Sequence, residues 1–221
     1  NAPDWTAMPP DAAQRIKIHA ANKRQELLEA DDEQVRRLSA ELKSFLSWKT
    51  SHQSSKQDYH LLLATDTAIG KEAAESIQMW LKSKGYVTEL RVVDGLRTSS
   101  LKDFREALAE LTKTLTESFE SYRTSGYSIQ FNLTGGFKSL NGFLQALSTI
   151  YADETFYLFE GSKELILIPK LPFSLNANEI IQENLKAFRR LNQGLPVKEA
   201  DHQRIPSTLL FYIDNEVVLS E

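Results

Sequence analysis

Phe131-Asn132-Leu133-Thr134-Gly135-Gly136-Phe137-Lys138 combines residue types that can hold a phosphate. An apolar segment of strand character stops at two glycines, and a helix-forming run opens with a lysine in its first turn. Amides at the start of a helix lack intrahelical acceptors, and the helix dipole adds partial positive charge there. Two glycines remove the side chains that would keep an anion off those amides. The Thr134 hydroxyl, the Asn132 amide and the Lys138 ammonium then surround one phosphate-sized space, which reads as a nucleotide site. The same residues also suit a tight strand-to-helix turn with no ligand, because Thr-Gly-Gly is shorter than a Walker or dinucleotide fingerprint and neither is present. Lys138 does not stand in P-loop spacing, which argues against classical ATPase chemistry.

A second group, Thr65-Asp66-Thr67 with Gly70, follows the apolar run His60–Ala64. Asp66 repels a phosphate but can accept from a ribose hydroxyl or an adenine amino group; alternatively it caps the helix that follows. Ligands of open α/β sheets bind beyond the carboxyl ends of the strands. If the sheet is parallel, both groups face the same rim.

The elements that must position them follow from periodicity. Residues 1–10 contain three prolines and read as irregular. Asp11 to Trp48 is helical and highly charged, with Val35, Leu38, Leu42 and Phe45 as its apolar stripe. Its 31–43 portion is a solvated face with salt pairs, or else a cover for the ligand or part of a dimer contact. Ser51 to Asp58 is a polar loop. His60–Ala64 predicts a strand buried on both faces. A helix to about Lys84 buries Ala73, Ala74, Ile77, Trp80 and Leu81 and stops at Gly85. Tyr86 to Val93 is a second strand, and Leu101, Phe104, Leu108, Leu111, Leu115 and Phe119 mark a long helix. Tyr127 to Asn132 is a third strand, and Ser139 to Ile150 the next helix. Thr155–Phe159 and Glu164–Ile168 flank Gly161-Ser162 as a hairpin. A last helix covers about Asn178 to Leu191, stopping at Gly194, and a second hairpin turns at Asp214-Asn215-Glu216. Alternating strands and helices imply an α/β fold, a Rossmann-like and mostly parallel sheet flanked by helices, with an antiparallel edge hairpin. The organisation expected is 1–58 as an irregular and helical segment, 59–172 as the core, and 173–221 as a terminal helix and hairpin.

Composition limits the functions available. The net charge of −4 over 221 residues argues against long nucleic acid, while leaving room for a small anionic ligand. The absence of cysteine excludes disulfides, thiolate zinc sites and cysteine nucleophiles. His19, His52, His60 and His202 lack metal-ligand spacing and read as surface or packing residues, so no metal is expected. Arg189 and Arg190 read as surface residues, or as reaching a phosphate. No apolar run approaches a membrane span and no signal peptide opens the chain, which makes the cytoplasm the default address. The chain opens on Asn1 instead of methionine, as a processed or partial chain would.

FNLTGGFKSLNGFLQ (131–145), the preceding LLLATDTAIGKEAAE and the later YLFEGSKELILIPKLP together resemble the CARF domain, the sensor fold of type III CRISPR defence. Within it, the combination is similar to the stand-alone CRISPR ring nucleases, over roughly Tyr59 to Pro172. The resemblance implies a homodimer with cyclic oligoadenylate across its two-fold axis, the tetra-adenylate being the usual ring. Thr134, Gly135, Gly136 and Lys138, with Asn132 at the entrance, match the family's phosphate-contacting turn. Thr65, Asp66 and Thr67 match its other ligand-facing loop, and Lys138 the lysine associated with cleavage. The implied reaction needs no metal or cofactor: a ribose 2′-hydroxyl attacks the neighbouring phosphate and expels the 5′-oxygen, giving linear diadenylates with 2′,3′-cyclic phosphate. A non-catalytic sensor controlling an output domain, or a scaffold without ligand, are the other readings. The family also begins with a short strand and a Gly-Thr-Ser-type loop, which this sequence does not show before Asn1. That strand would be central in the sheet and its loop one wall of the pocket.

Overall fold

The computed structural model describes residues 9–52, 55, 57–96, 100–136, 138–159, 164–169, 177–202, 205–206, 209–213 and 216–219. The chain divides into two compact units, Asn1–Leu171 and Pro172–Glu221.

The first unit opens with three helices, α1 (Pro10–Glu29), α2 (Asp32–Leu38) and α3 (Ala40–Ser51), where periodicity alone suggested one continuous helical pattern. Local capping chemistry makes the breaks. Asp31 accepts from the Gln34 amide while the Gln34 side chain accepts from the Asp31 amide, a reciprocal capping box. Ser39, in extended conformation, closes α2 and caps α3 by accepting from the Leu42 amide. The apolar stripe survives both breaks. Val35, Leu42 and Phe45 are buried together with Trp80, Leu81 and Tyr86, and Leu38 packs against them.

The alternating part of the chain follows as β1 (Tyr59–Thr65), α4 (Ala68–Ser83), β2 (Val87–Val93), α5 (Leu101–Thr124), β3 (Gln130–Asn132), α6 (Lys138–Tyr151), β4 (Glu154–Leu158) and β5 (Leu165–Ile168). On α4 the buried face is Ala74, Trp80 and Leu81 with Ile77 beside it; Ala73 is exposed, contrary to expectation, because the face centres one position later. β1 pairs in parallel with β2, Tyr59 opposite Val87. β3 pairs in parallel with β4, and β4 turns back antiparallel onto β5, with Phe156 opposite Leu167. The hairpin tip at Gly161-Ser162 lies outside the described residues.

Side-chain parity shows a three-layer arrangement. Leu61 and Leu63 of β1 pack with Phe131 of β3 and with Leu111, Leu115 and Phe119 of α5, together with α6. Leu62 points the other way, into the core made by α3 and α4. Both faces of β1 are therefore covered, although only Ala64 is fully buried. Helix α3 spans the two ladders: Phe45 meets His60 and Tyr86 edge-on, while Trp48 stacks on Phe156 of β4. Among the described residues no ladder joins β1 to β3.

The strands run the same way. Tyr59 at the start of β1 and Tyr127 just before β3 both contact Tyr122, near the end of α5. Their carboxyl ends therefore lie at the opposite, shared rim. Helices α4 and α5 cover opposite faces, so the chain winds outward from β1 to β2 and then back past β1 to β3.

At the other end, Asp153 ties β4 to the lead into β3. Burial, the largest influence on its carboxyl, pushes the pKa up. The Ile129 N–H, the Arg123 guanidinium and the Ser128 hydroxyl together outweigh it and hold the group below its ordinary value. A folded-state value below the unfolded one means stability that is present above about pH 3.9 and lost as pH falls through the folded value. Thermal melts between pH 5 and 3 should therefore fall less steeply for Asp153→Asn than for the wild type.

The second unit holds α7 (Ala177–Glu183), α8 (Leu185–Asn192), α9 (Glu199–His202) and the antiparallel pair β6 (Leu210–Ile213) and β7 (Glu216–Leu219). The single helix expected over 178–191 is interrupted at Asn184, whose side chain donates to the Ile180 carbonyl at 2.9 Å and competes with the helical bond there. Ala187 and Leu191 pack on Ile205 and Leu210. Arg190 donates to the Pro196 carbonyl and Arg189 is exposed. Residues 214–215 of the expected turn lie outside the described residues, and Glu216 opens β7.

Candidate ligand site at the carboxyl rim

Thr65, Asp66 and Thr67 leave the end of β1 as a tightly bonded loop. Thr67 caps α4, accepting from the Gly70 amide at 3.2 Å, and its hydroxyl lies 2.8 Å from that of Thr65. The capping role open to Asp66 thus belongs to Thr67. Asp66 is buried and accepts from the Gly95 amide at 2.9 Å, which fixes the turn leaving β2. Gly70 is needed for close approach: a side chain there would meet the Thr67 hydroxyl at 2.9 Å and the Thr65 hydroxyl closer still.

The other loop is equally organised. Asn132 at the end of β3 accepts from the Thr134 amide at 3.0 Å, and its amide group bonds the Ser44 hydroxyl of α3. Ser44 is fully buried and Asn132 is exposed, so this bond ties the rim loop to the interior of the fold. The Thr134 hydroxyl accepts from the Leu158 amide at 2.9 Å and stitches the loop to the end of β4. Gly135 and Gly136 have φ of 95° and 78°, in the left-handed region that side chains rarely adopt. At Gly135 a Cβ would also lie 2.8 Å from the Glu41 Cδ. Lys138 is exposed and is the first residue of α6, which has no acid in its first turn.

The structure thus brings Asn132, Thr134, Gly135, Gly136 and Lys138 together, and sets Thr65, Asp66 and Thr67 at the end of the neighbouring ladder on the same rim. Helices α3, α4, α5 and α6 all begin at this rim with the positive ends of their dipoles, and Ser39, Thr67 and Ser100 cap the first turns of α3, α4 and α5. Most of the polar side chains are committed to internal bonds, and Asn132, Gly136 and Lys138 are exposed. Periodicity missed Ser44, Gly95 and Glu41, whose roles arise from contacts distant in sequence. Two serines, Ser44 and Ser47, inside an apolar stripe were the one available signal that α3 approaches a strand closely.

An open depression of about 450 Å³ lined by Arg91, Thr114, Glu117, Ser118, Ser121 and Tyr122 lies against the second half of α5 and shares no residue with the rim loops. Beside it, burial and then the Glu89 carboxylate push the Tyr59 hydroxyl pKa up; the bond from Tyr59, then Arg91, holds Glu89 below its ordinary value. His60 sits in aromatic packing, and His52 stacks on Trp48 with its Nε2 3.2 Å from Glu154. No cluster of metal-ligating side chains occurs among the described residues, and no described helix is long and apolar enough to cross a membrane.

A small parallel sheet and a mixed sheet, both open and flanked by helices, with a glycine turn at the end of β3, define a Rossmann-like α/β protein. The chain belongs to a CRISPR-associated protein family (Cas_APE2256), whose model matches residues 36–171. That span includes α3, both rim loops and the whole alternating core. No curated protein matches the sequence.

Proposed function

We infer that this protein binds cyclic oligoadenylate, most simply cyclic tetra-adenylate, at the carboxyl rim of a homodimer and cleaves it without metal, switching off type III CRISPR signalling. The observation that carries the reading is the shared carboxyl rim of the two ladders. Two loops of nucleotide-site composition stand at it, four helices begin there, and Lys138 is an exposed cation beside the glycine turn. Membership of a CRISPR-associated family gives a polyanionic adenylate ring its biological context. Exposed apolar residues stand at the same rim and suit a contact between two copies: Ile69 (53% exposed) lies in the first turn of α4, Leu101 (66%) opens α5 and Phe159 (50%) follows β4. A two-fold axis through that rim presents equivalent turns to equivalent phosphates of a symmetric ring.

In the reaction, the ribose 2′-oxygen forms a bond to the adjacent phosphorus as the bond to the 5′-oxygen breaks. The 2′-proton is lost and the 5′-oxygen gains one. Two such cuts give two linear diadenylates with 2′,3′-cyclic phosphate. The protein's part is alignment of the two oxygens and phosphorus, with the glycine-turn amides and Lys138 stabilising charge on the phosphoryl oxygens.

The test is incubation with cyclic tetra-adenylate in EDTA, with products resolved by mass spectrometry. Diadenylate cyclic phosphate is the expected product. An intact ring that co-elutes with a dimer would make the protein a sensor module instead. A ring that neither binds nor breaks would end the cyclic-oligoadenylate reading.

A further inference from the structure

The glycine turn has an acidic neighbour from a distant part of the chain. Glu41, in the first turn of α3, lies against Gly135: a Cβ at 135 would fall 2.8 Å from its Cδ, so a side chain there would displace the carboxylate. The Ser39 hydroxyl donates to its Oε2 at 2.9 Å. A carboxylate here is unexpected beside a phosphate site, since it repels the ligand that the amides and Lys138 attract.

We propose that Glu41 is a specificity-determining residue that selects phosphodiesters over phosphomonoesters at the Gly135–Gly136 turn. A phosphodiester carries one negative charge, whereas a terminal phosphate carries about 1.5 to 2 at pH 7. Repulsion from a fixed carboxylate grows in proportion to that charge, so Glu41 penalises a terminal phosphate about twice as much as an internal diester. The site therefore accepts an internal linkage, as in a closed nucleotide ring, and turns away mononucleotides, nucleoside triphosphates and 5′-phosphorylated linear strands. The inference rests on the phosphate-binding reading of the turn, and names what that site refuses.

The experiment compares wild type, Glu41→Gln, Glu41→Asp and Glu41→Ala with two matched pairs of probes. Calorimetry measures cyclic tetra-adenylate against linear tetra-adenylate bearing a 5′-phosphate. Amide NMR at Gly135 and Gly136 measures dimethyl phosphate against methyl phosphate. Gln keeps the size of the side chain and an acceptor for Ser39. In Glu41→Gln the monoester-bearing probes should gain about tenfold more affinity than the diester probes, while Glu41→Asp keeps the wild-type preference. Glu41→Ala removes charge and bulk together and should follow Gln. If the ring fails to bind any variant but methyl phosphate gains selectively in Glu41→Gln, the role of Glu41 stands and the ring-binding reading falls. Equal gains for both members of each pair, or no gain, would overturn the selectivity. So would an absence of any shift at Gly135 and Gly136 with every probe.

Discussion

Lys138→Ala should lower the rate of ring cleavage by about 10²- to 10³-fold, the usual effect of removing one well-placed charge-stabilising donor. It should do so without loss of stability. Lys138 is exposed and opens α6, where the helix dipole disfavours a cation, and no acid in the first turn compensates. Removing it should leave the melting temperature unchanged or raise it, since a charge at a helix end is worth about 0.3–1 kcal/mol. The opposite signs distinguish a catalytic lysine from a structural one. Paired single-turnover assays and thermal melts on the same preparation read both quantities. A structural lysine would give lower melting with cleavage reduced only in proportion to the folded fraction.

The two rim loops show what a sequence can and cannot reveal. Their position was legible because strand and helix periods alternate around them, and Gly135, Gly136 and Gly70 mark where side chains are not tolerated. The internal commitments of Asn132, Thr134 and Asp66 were not legible, because their partners are Ser44, Leu158 and Gly95. Each of those pairs closes a long loop of chain, and no local pattern encodes it. The breaks at Ala30–Asp31 and Ser39 were hidden for a different reason. The apolar stripe keeps helical spacing across them, and the capping side chains only become decisive once Asp31 meets Gln34 and Ser39 meets Leu42. Gly135 was read as room for an anion; the structure adds that its φ of 95° and the Glu41 side chain packed against it already favour a glycine there. The two demands coincide at one residue, so glycine alone could not separate ligand from packing.

Trp80→Ala should destabilise the fold by about 3–5 kcal/mol, the range for deleting a large buried aromatic. Trp80 is 1% exposed, heads the largest fully buried side chains, and sits in one core with Leu42, Phe45 and Leu46 of α3. The same helix carries Ser44 to Asn132 and Glu41 to Gly135. A cavity at Trp80 therefore removes the packing that seats α3, and the glycine turn should loosen before the molecule unfolds. Denaturant melts would give the stability loss, and faster amide exchange at Gly135 and Gly136 under native conditions would show the local effect. Trp80→Phe should cost much less than its lost volume suggests, because the buried Nε1 has no hydrogen-bond partner among the described residues and its desolvation is relieved. If Trp80→Ala melted like the wild type, α3 would be held from the β3 and β4 side alone, and the turn would owe its geometry to Trp48 and Ser44 instead.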